Sequence, residues 1–362
     1  MGKKIVLCFD GTWNTPENET NIHKIYEAVG PESEKLRRFY YTGVGTEGGP
    51  LKRVFAGAIG EGIADKIRQG YDDLASIYEP GDQIYIFGFS RGAFAARCLA
   101  NMVASFGLPT RYYDSPEFST SSYSVELGDK IFKAYKRRDD EMPLELRNHC
   151  VAKAEVQMLG VFDTVASLGI AALHGGVSTL RYGHLDAEWH PNILNTYQAL
   201  AIDEKRPEFK PMRFKKGPGA WDPNHGMEQV WFPGVHSDVG GGYDQSGHAE
   251  NALSWMIKRS QGAGLAFDAA KIGEYAVQAH EELADIHESW NPLWGPARVR
   301  DIPEGSAISG YVELARAIGD YNPCNLPFNG AAAKVSPDGA DIPASKPQPG
   351  DWVPLKVSPY RR

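Results

Sequence analysis

The chain lacks most of the features that would place it in a class at once. Its four cysteines, Cys8, Cys98, Cys150 and Cys324, include no C-x-x-C pair. Neither a zinc ribbon nor a dithiol redox motif can be built from them, and free thiols in a reducing compartment are the expectation. No basic stripe interrupts a chain of net charge −8, so the electrostatic footprint of nucleic-acid binding is missing and no nucleic-acid partner is expected. The apolar run near the start, Ile5 to Phe9, is too short for a signal peptide or a membrane span. Val6 stands where N-myristoylation requires Ser or Thr. The expected compartment at synthesis is therefore the cytoplasm. Thr42-Gly43-Val44-Gly45-Thr46 lacks the G-K-[ST] ending of a phosphate loop. His174, His184 and His190 are spaced by ten and six residues, which fits no standard ligand pair. No metal and no cofactor is expected.

What is present is a 362-residue chain, 42% hydrophobic and 23% charged. That suffices for one large α/β domain with insertions. Lys4 to Phe9, Arg38 to Tyr41, Gln83 to Phe87, Val156 to Phe162 and Gln229 to Val235 read as strands. Helical spacing runs through Asn21–Val29, Glu61–Tyr78, Ala93–Ala104, Gly128–Arg138, Asn195–Asp203, Ala249–Arg259 and Asp268–His287. Gly43 to Gly60 reads as a Gly-rich loop, and 108–125 as a loop rich in Ser, Tyr and Pro. Residues 164–190 read as an excursion over the sheet. In it, Trp189, Tyr182 and Leu168–Leu173 suit either an acyl-binding wall or ordinary core. From Trp290 the chain turns Pro- and Gly-rich. Strands separated by helices imply a mainly parallel sheet flanked by helices. The expected division is a catalytic domain over 1–290, with 164–190 as a cap, and a C-terminal extension over 291–362 packed on the same domain.

The chemistry centres on residues 83–96, where a strand, Gly88-Phe89-Ser90-Arg91-Gly92 and an Ala-rich helix follow one another. This is the strand–turn–helix context of a nucleophile elbow. A Cβ at Gly88 or Gly92 would collide with the neighbouring strand or helix, and the Arg91 amide sits at a helix start, where an oxyanion is favoured. A serine nucleophile needs a base and a carboxylate to orient it. Asp163 and His236 each follow a strand and complete the order Ser, Asp, His, with 73 residues between successive members. A turn-capping Asp163 and a structural His236 beside Gly240-Gly241-Gly242 are the competing readings. Asp203 and Asp238 are rival acids. They and Asp10 are expected to buttress the reacting groups. Because the elbow follows the third strand, the N-terminal strands of the fuller hydrolase fold are expected to be absent. The loop after the first strand then supplies the second oxyanion donor, from Gly11 or Thr12. Asp10-Gly11-Thr12 also resembles the start of a haloacid-dehalogenase phosphatase, but Cys8 breaks the D-x-D that chemistry needs.

Six stretches together carry a resemblance: F-D-G-T-W-N, Y-T-G-V-G-T, G-F-S-R-G-A-F, G-V-F-D-T-V-A-S-L-G, A-L-A-I-D-E-K-R and W-F-P-G-V-H-S-D-V-G-G-G-Y. They are similar to an uncharacterised α/β-hydrolase domain family that includes the type VI secretion lipase effectors. The matches run from Phe9 to Tyr243. The resemblance implies an abridged α/β-hydrolase fold with cap-like insertions and an irregular C-terminal extension. It implies Ser90, Asp163 and His236 as the triad, and hydrolysis of phospholipid or related acyl esters. It further implies transient contact with a membrane surface, an immunity or secretion partner, and delivery to another compartment by a secretion system.

Overall fold

The computed structural model of the chain describes residues 2–45, 56–109, 125–137, 150–151, 154–165, 190–214, 226–244, 247–281, 286–318 and 321–326. The first strand, β1 (Lys4–Phe9), shows why a sheet forms. Ile5, Leu7 and Phe9 enter one apolar layer, while Val6 and Cys8 enter the other. Only a strand buried on both faces uses a continuous apolar run this way.

Helix α1 (Asn21–Ala28) follows, with the Thr20 hydroxyl accepting from the His23 amide at its start. Next come β2 (Leu36–Tyr41), α2 (Ala56–Ile77), β3 (Gln83–Phe89) and α3 (Ser90–Phe106). A two-residue strand β4 (Leu108–Pro109) precedes α4 (Val125–Arg137) and pairs antiparallel with β5 (Cys150–Val151). The main sheet resumes with β6 (Val156–Phe162), β7 (Asn195–Ala201) and β8 (Gly226–Phe232). Helices α5 (His236–Gly240), α6 (Gly247–Gly262) and α7 (Ala269–Glu281) follow, then β9 (Ala307–Ile308) and α8 (Tyr311–Ile318).

Seven strands form one sheet in the order β2-β1-β3-β6-β7-β8-β9, and every neighbouring pair among the described residues is parallel. Helices α2, α3 and α4 pack on one face around Ile67, Leu74, Leu99 and Ile131. Helices α1, α6 and α7 pack on the other around Ile22, Leu253, Trp255 and Tyr275. The chain runs from β1 outward to β2, then returns to β3 on β1's other side. That reversal opens a crevice at the carboxyl ends of β1 and β3, where open α/β sheets build their sites.

Four sequence expectations need correcting. Asn195–Asp203 is not helical: Asn195–Ala201 is β7, almost entirely buried. Its alanines and the polar Thr196 and Gln198 hid the strand, but Gln198 Nε2 is satisfied by the Met212 carbonyl at 2.8 Å and the Thr164 hydroxyl at 3.2 Å. Helix α2 (Ala56–Ile77) already includes Ala56 to Gly60, residues expected to be loop. Helix α7 covers Ala269–Glu281 among the described residues, and His287 belongs to a coil segment and not to a helix. The tail beyond Trp290 is more than coil. It gives the edge strand β9 and helix α8, and packs Ile302, Ile308, Val312 and Leu326 against Leu200 and Trp231. The expected cap, with His174, Tyr182, His184, Trp189 and Leu168–Leu173, falls almost wholly outside the described residues. Among the described residues no helix is long and apolar enough to cross a membrane.

Candidate active site

The strand–turn–helix at Ser90 has the backbone the glycines predict. Ser90 sits at φ 58°, the left-handed region that non-glycine residues rarely enter. A Cβ on Gly92 would lie 2.3 Å from the carbonyl oxygens of Phe9 and Asp10, and one on Gly88 would lie 2.6 Å from the Ala93 Cα. Neither position has room for a side chain. Helix α3 starts at Ser90, so its first amides, that of Arg91 among them, have no carbonyl partner within the helix.

The ends of β6 and β8 bring the other two residues together. Asp163 Oδ2 lies 2.6 Å from His236 Nδ1, with both side chains buried. Asp163 also has a positive φ, 36°. The Val165 amide reaches the Ser90 carbonyl at 3.5 Å, so the loop after β6 borders the elbow. His236 opens α5, and its ring is held between Phe89, centroids 4.6 Å apart, and Phe209, 4.8 Å away edge-on. Gly240 is needed one turn on, because a Cβ there would fall 1.9 Å from the Phe89 ring. With Nδ1 committed to Asp163, His236 Nε2 is buried and has no hydrogen-bond partner among the described residues.

Arg300 is the site residue that sequence reasoning missed. Its guanidinium grips Asp163 with two bonds, Nη1 to Oδ1 at 2.6 Å and Nη2 to Oδ2 at 2.8 Å. It also donates to the Ala201 and Phe209 carbonyls at 2.8 and 2.6 Å. Asn325 pins the Arg300 carbonyl to that of Ile202. Arg300 lies in a Pro- and Gly-rich stretch without periodicity, so nothing local marks it. Val299 and Asp301 flank it, and neither marks it as a buried cation. Burial alone would raise the Asp163 pKa. The Arg300 charge and the bonds from His236 and Arg300 outweigh it and hold the carboxyl well below the usual range. Burial lowers the His236 pKa, against the opposing pull of Asp163. The imidazole at rest is thus neutral over a wider pH range than a free histidine, as a base must be.

The remaining carboxylates fall into supporting places. Asp203 accepts from the Gly234 amide at 2.7 Å and the Tyr321 hydroxyl at 2.8 Å, and burial pushes its pKa up to about 6. Asp238 accepts from the Val235 amide at 2.9 Å and lies 2.6 Å from His287 Nδ1. Neither hydrogen-bonds the His236 ring among the described residues. Glu204 accepts from the His236 amide at 3.2 Å and pairs with Arg206 through two bonds of 2.8 and 2.9 Å. Burial would raise its pKa, but the Arg206 bonds bring it down to about 2.

Asp10 has both oxygens filled. Oδ1 takes the Gly11 amide at 2.6 Å and Asn14 Nδ2 at 3.2 Å; Oδ2 takes the Thr20 and Tyr40 hydroxyls, each at 2.6 Å. The Gly11 amide is therefore committed and is not the free donor the sequence suggested. Gly11 matters as space, since a Cβ there would lie 3.1 Å from the Phe89 ring and 3.3 Å from Ser90 Cβ. Thr12 and Arg91 are left as the candidate oxyanion donors. Among the described residues no cluster of side chains could hold a metal ion, and His190 Nδ1 accepts from the Asn192 amide instead.

Comparison with known proteins places the chain. An uncharacterized protein of Saccharomyces cerevisiae is 28% identical over 249 residues, covering 60% of this chain and 33% of the yeast protein. A solved structure of the Tle1 effector bound to the VgrG spike of the type 6 secretion system overlaps 67% of this chain and 52% of its own, at 23% identity and a TM-score of 0.40. An uncharacterized protein from Pseudomonas aeruginosa overlaps 77% and 49%, at 18% identity and a TM-score of 0.48. The chain thus spans about a third of the curated relative's length and about half of each of these solved chains. The profile of the type VI secretion system Tle1-like phospholipase effector catalytic domain matches residues 3–259, and the chain belongs to that family.

Proposed function

We propose that the protein is a serine hydrolase that cleaves carboxylic esters, lipid or phospholipid acyl esters in particular, through an acyl-enzyme. Ser90 Oγ attacks the ester carbonyl. His236 Nε2 takes its proton and later returns one to the leaving alcohol. Asp163 holds the Nδ1–H tautomer and stabilises the imidazolium that forms. The amides of Thr12 and Arg91 receive the oxyanion. Water then repeats the sequence on the acyl-Ser90 and frees the acid.

The observation that carries this reading is the 2.6 Å Asp163–His236 contact, with the other imidazole nitrogen buried and unpartnered. Membership of a phospholipase effector family supports the substrate class, and extends the proposal to delivery by a type VI secretion system and to an immunity partner. A phosphatase acting through Asp10 is disfavoured by the four donors that fill both its oxygens. A fluorophosphonate probe should label the wild-type protein and not Ser90→Ala. A panel from p-nitrophenyl butyrate to phosphatidylcholine vesicles should show turnover. Absence of both labelling and turnover in folded wild-type protein would make it a binding protein on a hydrolase scaffold.

A further inference from the structure

Arg91 differs from several other largely covered arginines of the chain. Arg206 is paired with Glu204, Arg300 with Asp163 and Arg259 with Glu228. Among the described residues Arg91 has no such carboxylate. Its guanidinium lies 5.6 Å over the Trp13 ring, and its buried Nε has no hydrogen-bond partner there. A buried guanidinium N–H with no acceptor is costly. Burial, with the nearby Arg206 charge, pushes its pKa down to about 10, so it stays cationic at neutral pH.

A second orphan faces the same place. Thr12 is 8% exposed, and its buried hydroxyl has no partner among the described residues. Thr12 and Arg91 line one narrow cleft together with Thr42, Lys66 and Asp10. Asp10 is the acid in that lining, and two donors on each of its oxygens already spread its charge. Among the described lining residues there is no further carboxylate for either orphan. An incoming group with several anionic oxygens supplies what both orphans lack, and the planar guanidinium fork matches a phosphate in particular.

We propose that the side chains of Arg91 and Thr12 form an anion subsite at the mouth of this cleft that takes the phosphodiester of a glycerophospholipid substrate. The inference rests on the ester-hydrolase reading above and adds the group recognised. One pair of residues then serves two ends of the substrate. Their amides face the ester oxygen and their side chains face the phosphate, which in a glycerophospholipid is only a glycerol unit away. No bond to phosphorus forms or breaks.

The test compares kcat/KM on monomeric dioctanoyl phosphatidylcholine with that on p-nitrophenyl butyrate, which has no phosphate. Arg91→Gln should lower the phospholipid-to-butyrate ratio by roughly tenfold to a hundredfold, the worth of a hydrogen bond to a charged group. Arg91→Lys, which keeps the charge without the fork, should fall between. In parallel, Ser90→Ala protein is titrated calorimetrically with glycerophosphocholine and with inorganic phosphate. Binding of the diester that disappears in Ser90→Ala/Arg91→Gln supports the subsite, even if the wild type proves inert to every ester and the hydrolase reading fails. Equal losses on both substrates, with Arg91→Lys no better than Arg91→Gln, would overturn it. So would binding of inorganic phosphate alone with an unmoved ratio, which would make the cleft a general anion site and not a headgroup site.

Discussion

Two Asp–His pairs lie close together in this molecule, and by distance they are the same. Asp163–His236 and Asp238–His287 both bring a carboxylate oxygen within 2.6 Å of Nδ1. Their surroundings differ. Asp163 is clamped by a guanidinium, and its histidine is buried between two aromatic rings, one of them Phe89, the residue before the strained Ser90. Asp238 is bonded to the Val235 and His287 amides, and its histidine is partly exposed and stacked on Tyr243 at 4.0 Å. A short Asp–His contact is therefore no proof of a reactive pair. What marks one is the second ring nitrogen, buried and unpartnered in His236. The first pair suits the proton transfer proposed above; the second ties the segment at 287 to α5, which His236 opens.

That contrast breaks most sharply by substitution. Asp163→Asn should lower kcat by about 10⁴, as expected when the orienting carboxylate is lost and the wrong tautomer forms. Ser90→Ala and His236→Ala should match it, whereas Asp238→Asn or His287→Ala should cost on the order of 10–100-fold or less, the range for outer partners. Steady-state kinetics on p-nitrophenyl butyrate, with circular dichroism to check folding, would decide. Equal losses at Asp163 and Asp238 would erase the distinction drawn here.

Arg300 gives the next largest effect, because it is the feature only one pair has. Arg300→Met leaves the Asp163 charge buried without its cation, which costs about 3–5 kcal/mol of stability by analogy with other broken buried pairs. Since the Arg300 charge helps keep the His236 pKa low, the acid limb of kcat/KM should move to higher pH in whatever folded enzyme remains. Guanidinium ion added to the assay should restore part of the activity. A limb that stays in place would mean Arg300 serves the fold alone.

In the wild type, the depressed His236 pKa puts that acid limb below the ordinary histidine value of about 6.5. A pH–rate profile rising only above pH 7 would contradict the neutral, desolvated imidazole. The smallest effect is on stability at Asp203. Its pKa is raised to about 6, so its protonated form is favoured on folding. The associated stability is complete below its unfolded value near 4 and fades as pH climbs through 6. Asp203→Asn should therefore raise Tm relative to wild type more at pH 8 than at pH 4, by a few degrees at most. Calorimetry at the two pH values is the check, and the same variant should retain clear esterase activity.

Much of this architecture could be read without coordinates. The parallel sheet follows from apolar strands spaced by helices, and the elbow at Ser90 from two glycines whose Cβ atoms would have no room. The pairing of Asp163 with His236 followed from their order and strand-end positions. The misses share a cause. Asn195–Ala201 reads as helix because alanine suits either state and its polar side chains look solvated. Gln198 finds its partners at Met212 and Thr164, 14 and 34 residues away. The Gly11 amide looked free because the carboxylate that takes it, Asp10, is the residue just before it, and which way that carboxylate turns is decided by Thr20 and Tyr40.

The sequence alone therefore determined what depends on backbone conformation and local burial: the strands, the elbow, and which residue types could react. The tertiary structure decided what depends on charges meeting across long loops. Arg300 on Asp163 joins residues 137 positions apart, and Tyr321 on Asp203 joins residues 118 apart. An ion pair leaves no periodic trace, because its energy comes from the distance and burial of two groups, and only the folded chain sets those.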